Sequence, residues 1–443
     1  MNSRFSISVK DVRAIKEAEI ALNGITVLAG ENGCGKSTVS KLLYGFIKTS
    51  ANFDSVVSDL YSRELAFSSS LLRDFIPKKK EYNLFSAVED SDLFESYNGV
   101  PRISDSVNSE DYISDVILPR IEIIRKNYEK QEYSITNIAF TRLLQLYERH
   151  VRKFEAKNPI ELLNDYEAYM RKLLQEISEL KTTHNLKVFN FQLAKYFNEI
   201  TDKWNYSFKE YDSNLIDKRN KSVTLQKSFS EVFYVDVPTV FDSDTYRMPP
   251  RVSTIDDLRK GLSIVRGGGV NESISAIIED ALNGKISRKD DMFSRIFVYT
   301  AKNGQSIPLS QAASGLKCFA VLERLYANGC LGEDTLLIVD EPEVHLHPKW
   351  IVEYARVLVL IQKYLHTTIM VASHNPDMVS AIKYISEREE VADSLTFYIA
   401  EEVDSEGLGK FKYKNLGTDI DEIFSSFNIA LDRINLYGFS DDV

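Results

Sequence analysis

A glycine-rich segment near the start of the chain carries residue types that bind phosphate. Residues 30–38 read Gly-Glu-Asn-Gly-Cys-Gly-Lys-Ser-Thr, which fits the P-loop pattern G-x-x-x-x-G-K-[ST]. Glycines let successive backbone N–H groups converge on phosphate oxygens, and the positive end of a following helix adds to the attraction. Lys36 is expected to reach the β- and γ-phosphates of a nucleotide, and Ser37 to ligate Mg²⁺. The predicted phosphate-binding residues are Gly30, Asn32, Gly33, Gly35, Lys36, Ser37 and Thr38.

Two acidic residues follow an apolar segment late in the chain. Residues 336–339 are all apolar and lead directly into Asp340 and Glu341. A carboxylate at the carboxyl end of a parallel strand opens into the crevice where α/β proteins bind ligands. Asp340 is therefore the predicted Mg²⁺ partner. Glu341 is the predicted general base that orients and deprotonates an attacking water.

A histidine follows the next apolar segment. His374 comes two residues after residues 368–372 and 34 residues beyond Asp340. At the end of another strand of the same sheet, it is predicted to hydrogen-bond the γ-phosphate and so to sense hydrolysis. His345 and His347 have a spacing found in metal sites, but no third ligand is apparent. Their segment is interpreted as a structural and interface loop.

Hydrophobic periodicity predicts the elements that position these residues. Alternating apolar residues up to Leu22 predict an edge hairpin, residues 25–29 a buried strand, and residues 37–46 a helix. A helix is also predicted at about 313–327. Further strands are predicted at 232–237, 296–299, 336–339 and 368–372. Strands alternating with helices in this way indicate a parallel α/β sheet.

A long helical pattern separates the two halves of the chain. Apolar residues at 140–154 and at 163–180 recur with the heptad spacing of a coiled coil. Asn158, Pro159 and Glu161 suit the N-cap, first and third positions of the second helix. A further helix is predicted at about 188–211. Residues 50–115 are polar, poorly periodic and assigned only as mixed helix and loop.

Composition excludes several classes of protein. The 443 residues include 54 Lys and Arg and 65 Asp and Glu, for a net charge of −11, and 44% are hydrophobic. These are ordinary globular values. Three cysteines without a CxxC pair argue against a disulfide framework or a zinc site. No apolar run reaches the ~20 residues that span a bilayer, and no export signal is visible, so a cytoplasmic protein without a membrane partner is expected.

The acidic and histidine motifs resemble those of ABC ATPases of the SMC, RecF and OLD-like group. Asp340-Glu341-Pro342-Glu343, with the segment 345–348, is similar to the Walker B motif and D-loop of that group. Residues 373–376, Ser-His-Asn-Pro, are similar to its H-switch. No glutamine occurs in residues 50–115, so a Q-loop is not placed.

Two further motifs resemble the same group. Residues 309–317 are similar to a degenerate signature motif, with Ser314 and Gly315 as its core and Ser310 as the second choice. Residues 9–14 are similar to an N-terminal strand that would bring Arg13 near the γ-phosphate. A surface charge on an edge strand is the alternative for Arg13.

The resemblance implies a fold and an architecture. The fold class is α/β, a P-loop NTPase of ABC ATPase type, with a split head and an inserted α-helical, coiled-coil-like arm. Such heads bind ATP and Mg²⁺ and hydrolyse ATP, and the signature of one protomer completes the site of another, which implies a homodimer or higher homo-oligomer. The predicted N-terminal part of the head is residues 1–50, and it is followed by a poorly defined insertion at 51–115. The helical arm is predicted at 116–229, the C-terminal part of the head at 230–400 and a C-terminal extension at 401–443.

The resemblance also suggests a biological role. Stand-alone heads of this kind resemble the ATPase subunits of the Septu, PARIS and retron-associated anti-phage systems, which implies a sensor or scaffold controlling a separately encoded nuclease or toxin. One alternative is a DNA repair or maintenance ATPase that binds DNA directly. Another is a nucleotide-gated scaffold with negligible turnover. The predicted places for DNA contact are the arm, with 16 Lys and Arg against 12 Asp and Glu over 142–227, and the cluster Lys78-Lys79-Lys80.

Overall fold

The structure is a computed structural model. It describes residues 4–76, 94–97, 100–103, 108–236, 238–241, 254–264, 266, 272–291, 294–404 and 409–425. The predicted lysine cluster at 78–80 and part of the predicted C-terminal extension lie outside the described residues.

Strands and helices alternate one by one only between residues 314 and 404, and elsewhere in the described chain they occur in runs. The strands are β1 (Phe5–Val12), β2 (Ile15–Leu22), β3 (Ile25–Ala29), β4 (Phe94–Tyr97), β5 (Val100–Ile103), β6 (Asn205–Glu210), β7 (Ser213–Asn214), β8 (Ile216–Asp217), β9 (Ser222–Val223), β10 (Glu231–Val235), β11 (Gly284–Asp291), β12 (Ser294–Ala301), β13 (Ser306–Pro308), β14 (Thr335–Asp340), β15 (Thr368–Ser373), β16 (Leu395–Asp404) and β17 (Lys410–Gly417).

The helices are α1 (Lys36–Ala51), α2 (Phe53–Leu60), α3 (Ser62–Asp74), α4 (Ser109–Asp111), α5 (Leu118–Glu129), α6 (Asn137–His150), α7 (Pro159–Thr183), α8 (Leu186–Phe197), α9 (Thr254–Ser263), α10 (Glu272–Leu282), α11 (Ser314–Ala327), α12 (Pro348–Leu365) and α13 (Pro376–Arg388). A π-helical segment, Tyr112–Ile117, joins α4 to α5. Short 3₁₀ turns occur at Pro238–Phe241, Leu309–Gln311, Pro342–His345 and Ala392–Ser394.

One mixed ten-stranded sheet organises the molecule, in the order β10-β14-β15-β3-β16-β17-β2-β1-β6-β7. The five strands from β10 to β16 run parallel, and antiparallel pairs dominate the rest. The α/β fold class predicted from the sequence is confirmed. The predicted hairpin is β1–β2, but β1 is not an edge strand, because β6 pairs with its other side.

Both faces of the parallel strands are covered, which explains their continuous apolar runs. Every residue of β14 is buried. Leu336 and Ile338 point into one hydrophobic cluster, and Leu337 and Val339 point into a second cluster on the opposite face. The first cluster includes residues of α1–α3 and α5–α8, whereas the second includes residues of α11, α12 and α13.

The helical arm differs from the predicted pair of coiled-coil helices. The start of α7 is as predicted: Asn158 Oδ1 accepts the Glu161 N–H at 2.9 Å, and the Glu161 carboxylate accepts the N–H of Lys157 at 2.7 Å. Its heptad residues are buried, except for the half-buried Leu180, but they pack in the same cluster as β1, β2 and α1 rather than in an isolated two-helix seam. Helix α6 ends at His150, so the last part of the predicted 140–154 stripe lies beyond it.

Two other predictions of elements need correction. The helix predicted at 188–211 ends at Phe197, and residues 205–210 instead form β6, whose buried Tyr206 and Phe208 alternate with more exposed residues. The helical spacing of the apolar residues in this segment obscures the alternation of Tyr206 and Phe208. The strand predicted at 296–299 exists as β12, but it belongs to a separate antiparallel sheet with β11 and β13.

None of the described helices is both long enough and apolar enough to cross a membrane.

Candidate functional site

The order of the parallel strands brings the predicted site residues to one edge of the sheet. Strand β15 lies between β14 and β3, with Asp340 opposite Ala372 and Ser373 opposite Ala29. The segments that follow β3, β14 and β15 therefore leave the sheet side by side. These are the P-loop, the acidic segment and the His374 segment.

The P-loop requires backbone conformations that favour glycine. Gly33 and Gly35 have φ angles of 88° and 99°, in the left-handed region that L side chains rarely adopt. A Cβ on Gly35 would also lie 2.6 Å from Cγ1 of Ile15. Helix α1 begins at the next residue, so its free N–H groups face the loop. This is the geometry of an anion site at a helix N-terminus.

Lys36 is held inside this loop. Its side chain is only 3% exposed, and its ammonium donates to the carbonyl oxygens of Gly30 at 2.9 Å and Glu31 at 3.0 Å. The Lys36 Nζ atom lies 3.9 Å from Oε1 of Glu341. Ser37 and the buried Thr38 follow in the first turn of α1, while Asn32 lies exposed in the loop.

Asp340 is a buried carboxylate with only one oxygen satisfied. Its Oδ2 atom accepts the hydroxyl of Tyr234, on the neighbouring strand β10, at 2.5 Å. Burial, reinforced by the charge of Asp340, raises the pKa of Tyr234 well above its ordinary value, so this hydroxyl keeps its proton and donates. The Oδ1 atom of Asp340 is buried and has no hydrogen-bond partner in the described structure.

Glu341 leaves the strand in an unusual backbone conformation. Its φ of 50° and ψ of 51° place it in the left-handed region, which costs a non-glycine residue about 1–2 kcal/mol. Its N–H nevertheless donates to the Ala372 carbonyl at 2.8 Å, which ties it to β15. The side chain is one-third exposed, and its Oε1 atom lies 3.7 Å from Nδ1 of His374. Lys36, Glu341 and His374 thus converge as the sequence predicts.

Glu343 is a site residue to which the sequence analysis gave no role. Its side chain is 2% exposed, and Oε1 accepts the hydroxyl of Ser373 and the N–H of His374, both at 2.8 Å. The same oxygen lies 3.2 Å from Nδ1 of His374. The sequence signal for Glu343 is its position three residues after Asp340, in a segment interpreted as a loop. Glu343 fixes the His374 segment against the acidic segment.

The signature residues lie at the start of α11 and in the turn before it. Ser314 is the exposed first residue of α11, and Gly315 beside it is buried. A Cβ on Gly315 would lie 2.6 Å from the ring of Trp350 and 3.1 Å from the carbonyl oxygen of His345. Glycine is therefore required for α11 to approach the loop after Glu343. Ser310 lies in the preceding 3₁₀ turn, where its carbonyl accepts from the buried Lys317.

Arg13 occupies the turn between β1 and β2 and points toward α8. Its guanidinium pairs with the Glu199 carboxylate at 2.8 Å and lies over the rings of Phe197 and Trp204, at 4.9 Å and 5.4 Å from their centroids. The structure thus places Arg13 against the helical arm. Its nucleotide contact stays a prediction.

The residues present fit a Mg²⁺ ion shared with a nucleotide. Within the described parts of the chain, no group of three or more His, Cys, Asp and Glu side chains forms a protein cage for a metal. Mg²⁺ in nucleotide enzymes is usually held by one or two protein groups together with phosphates and water. The unpartnered Oδ1 of Asp340 and the Ser37 hydroxyl are suitable donors of that kind.

Comparison with known proteins identifies a family. The chain matches the AAA ATPase domain (AAA_15) over residues 5–379. No curated protein matches it.

Among solved structures, the chain is similar to the SMC head domain from Thermotoga maritima, with 11% identity, coverage of 94% of this chain and 99% of that one, and a TM-score of 0.36. The Smc head domain with a coiled coil and joint from Pyrococcus yayanosii gives 9% identity, 96% and 99% coverage, and a TM-score of 0.37. CbiO1 from Clostridium perfringens, part of the ABC transporter complex cbiONQ, gives 17% identity, 52% and 76% coverage, and a TM-score of 0.27. These are distant similarities.

The Tyr234→Phe substitution tests the support of Asp340. We expect the Mg²⁺ concentration for half-maximal ATPase activity to rise about tenfold, because the substitution removes the donor that orients the Asp340 carboxylate. Magnesium titrations of the ATPase rate measure this effect. Tyr398→Phe is the matched control, since Tyr398 is another buried tyrosine whose hydroxyl accepts a hydrogen bond from the N–H of Ala21. An unchanged magnesium requirement in Tyr234→Phe would contradict the assignment.

The Glu343→Gln substitution tests whether Glu343 acts through His374. We expect kcat to fall at least tenfold with nucleotide affinity retained, because the charge that faces the imidazole is lost while the side-chain volume is kept. A double-mutant cycle with His374→Ala measures the coupling. In the His374→Ala background, Glu343→Gln should have little further effect on kcat. Additive losses would show that Glu343 acts independently of His374.

Proposed function

Since the chain belongs to the AAA ATPase domain family AAA_15, we propose that it binds ATP with Mg²⁺ and hydrolyses it at the convergent site described above. The observation that carries the proposal is the meeting of three side chains from three segments. Oε1 of Glu341 lies 3.9 Å from the ammonium of Lys36 and 3.7 Å from Nδ1 of His374. Under this proposal the three side chains serve as the phosphate-binding cation, the general base and the contact of the γ-phosphate.

Each side chain has a role that its position supports. Lys36 exchanges the carbonyls of Gly30 and Glu31 for β- and γ-phosphate oxygens when a nucleotide enters the loop. Glu341, one-third exposed, orients the attacking water and accepts its proton. His374, held by Glu343, contacts the γ-phosphate. When bound through Asp340 and Ser37, Mg²⁺ neutralises charge on the phosphates.

We further propose that two copies pair head to tail around ATP. Ser314 is exposed at the first position of a 14-residue helix, so its hydroxyl and the helix N-terminus are free to meet the γ-phosphate of another copy. The packing of Gly315 against Trp350 connects this surface to the acidic segment of the same chain. Nucleotide would then stabilise the pair, and hydrolysis would release it.

The role proposed for the paired heads is to control a separately encoded effector, a nuclease or a toxin, in anti-phage defence. The support is the combination of the motifs at 340–348 and 373–376 with a helical arm, as in the ATPase subunits that the sequence resembles. The arm supplies a surface through which an effector could sense the state of the heads.

Substitutions at Glu341 and Lys36 test the ATPase proposal. Glu341→Gln should lower kcat by about 10²–10⁴ while retaining ATP, because it removes the general base and leaves the P-loop intact. Lys36→Ala should lose ATP binding. Rates of phosphate release, fluorescent-nucleotide binding and light scattering with ATP measure hydrolysis, affinity and pairing. Glu387→Gln, on the surface of α13, is the control.

In the same measurements, Glu341→Gln should be the variant that pairs most stably with ATP, and Ser314→Ala should weaken that pairing. If Glu341→Gln and Lys36→Ala both hydrolyse ATP at the parental rate, the site assignment is wrong. If hydrolysis is lost in Glu341→Gln but no ATP-dependent pair forms, the head-to-tail proposal falls while the ATPase proposal stands.

A pull-down at native expression tests the effector proposal. With ATP present, the Glu341→Gln variant should retain a nuclease or toxin that Lys36→Ala does not retain, because only the former holds nucleotide. The DNA alternative predicts instead that the purified protein binds DNA with an affinity that falls steeply with salt, since counterions are released on binding. Steep salt dependence together with no retained effector would favour that alternative.

A further inference from the structure

A hairpin near the end of the described chain lies against the P-loop. It consists of strands β16 and β17, which pair antiparallel. Strand β16 also pairs with β3, where Ile399 is opposite Ala29. The residues that follow this pair are Ala400 and Gly30, the first residue of the P-loop. The hairpin comes after residue 379, at which the match to the AAA ATPase domain ends.

The first contact between the hairpin and the P-loop is a close approach of two strand ends. A Cβ on Gly30 would lie 2.9 Å from Cβ of Ala400 and 2.9 Å from Sγ of Cys34. Real Cβ atoms essentially never come within 3.0 Å of such neighbours, so only glycine fits at this position. The start of the P-loop thus packs directly on Ala400, and a larger side chain there would displace it.

Tyr413 of β17 makes the second contact with the P-loop. Its side chain is buried, and its hydroxyl donates to the carbonyl oxygen of Cys34 at 3.4 Å and lies 3.7 Å from Sγ of the same residue. Burial raises the pKa of Tyr413 well above its ordinary value, so the hydroxyl keeps its proton and donates. Because Cys34 is itself buried, its carbonyl needs a donor from the protein.

The direction of this carbonyl matters for phosphate binding. A phosphate loop attracts the anion with backbone N–H groups, and a carbonyl oxygen turned toward the phosphate would repel it. Lys36 donates to the carbonyls of Gly30 and Glu31, but it is expected to exchange them for phosphate oxygens when a nucleotide enters. The bond from Tyr413 to Cys34 uses no group that binds phosphate, so it does not compete with the nucleotide.

The same hairpin also supports the turn that borders the P-loop. The N–H of Phe411, in β17, donates to the carbonyl of Ala14 at 2.8 Å. Ile15, the next residue, is the one whose Cγ1 lies 2.6 Å from the position of a Cβ on Gly35. Strand β17 is therefore connected to the P-loop at two places, directly through Cys34 and indirectly through the turn between β1 and β2.

We propose that Tyr413 is a positioning residue for nucleotide binding: its hydroxyl holds the Cys34 carbonyl away from the phosphates and so keeps the N–H groups of the P-loop directed at them. Ala400 supports the same loop from the neighbouring strand. This role rests on the proposed nucleotide site. Because Tyr413 acts through the backbone of the P-loop and not through the general base, it affects the affinity for the phosphates rather than the rate of hydrolysis.

The Tyr413→Phe substitution tests this role, since it removes the hydroxyl and keeps the ring. We expect the Kd of ATP and the Kd of ADP each to rise about threefold, near the lower end for one neutral hydrogen bond because 3.4 Å is long for an O–H···O bond. The kcat at saturating ATP should stay at the parental value. Fluorescent-nucleotide titrations measure the two affinities, and rates of phosphate release measure kcat.

Two further variants identify the contacts that matter. Ala400→Val should raise both Kd values about tenfold, because the added methyl groups collide with the P-loop at Gly30. Cys34→Ala removes the sulfur but leaves the carbonyl, so Tyr413→Phe should weaken binding by the same factor in the Cys34→Ala background. Tyr398→Phe is the matched control from the same hairpin, since the hydroxyl of this buried tyrosine accepts from Ala21 and not from the P-loop.

The outcomes separate this role from the ATPase proposal. If the unaltered chain shows no saturable binding of ATP or ADP, the nucleotide site and the role of Tyr413 both fall. If the unaltered chain binds ATP but Tyr413→Phe leaves both Kd values unchanged, the positioning role is wrong and the nucleotide site stands. A lower kcat with unchanged affinity, or a lower melting temperature with unchanged affinity, would equally overturn the positioning role.

Discussion

The register of β3, β15 and β14 is the constraint on which the site depends. These neighbouring strands are parallel and buried on both faces, so their carboxyl ends meet at one edge of the sheet. A one-residue slip of β14 would exchange the faces on which its side chains lie, turning Asp340 into the hydrophobic cluster that holds Val339. The apolar runs that specify this register are thus as necessary to the chemistry as the polar residues that follow them.

Buried carboxylates set the second requirement, because each needs donors that the fold must supply. Tyr234 supplies one to Asp340 from β10, and Ser373 and the backbone of His374 supply two to Glu343 from the end of β15. In both cases one oxygen is satisfied and the other stays without a partner within the described structure. For Asp340 the remaining oxygen is available to a cation. For Glu343 the bonds instead join two segments, so the His374 segment is held against the acidic segment that contains Glu341.

The sequence predicts the parts of the site that depend on local pattern and misses those that depend on pairing between distant strands. The P-loop, Asp340, Glu341 and His374 each follow an apolar strand, and their convergence follows from the rule for parallel sheets. Tyr234 belongs to no motif, and Glu343 has no role of its own within its motif, since their contacts arise from β10 pairing with β14 and from the turn at Glu341. Residues 205–210 were predicted as helix for the same reason: only pairing with β1 reveals a strand.

The helical arm contacts a row of tyrosines that ends at Asp340. Tyr196 of α8 packs edge-on against Tyr44 of α1 at 5.2 Å, and Tyr44 packs against Tyr234 at 5.7 Å. Tyr234 in turn donates to Asp340. Just after the end of α8, Glu199 pairs with Arg13 at the turn that leads into β2. Tyr44 and Tyr234 are buried, so a shift of α8 that moves Tyr196 would disturb the packing around the tyrosine that donates to Asp340. Coupling of this kind requires that α8 have two discrete arrangements, and that a change at either end of the tyrosine row favour one of them. The tyrosine row thus connects the position of α8 to the carboxylate of Asp340.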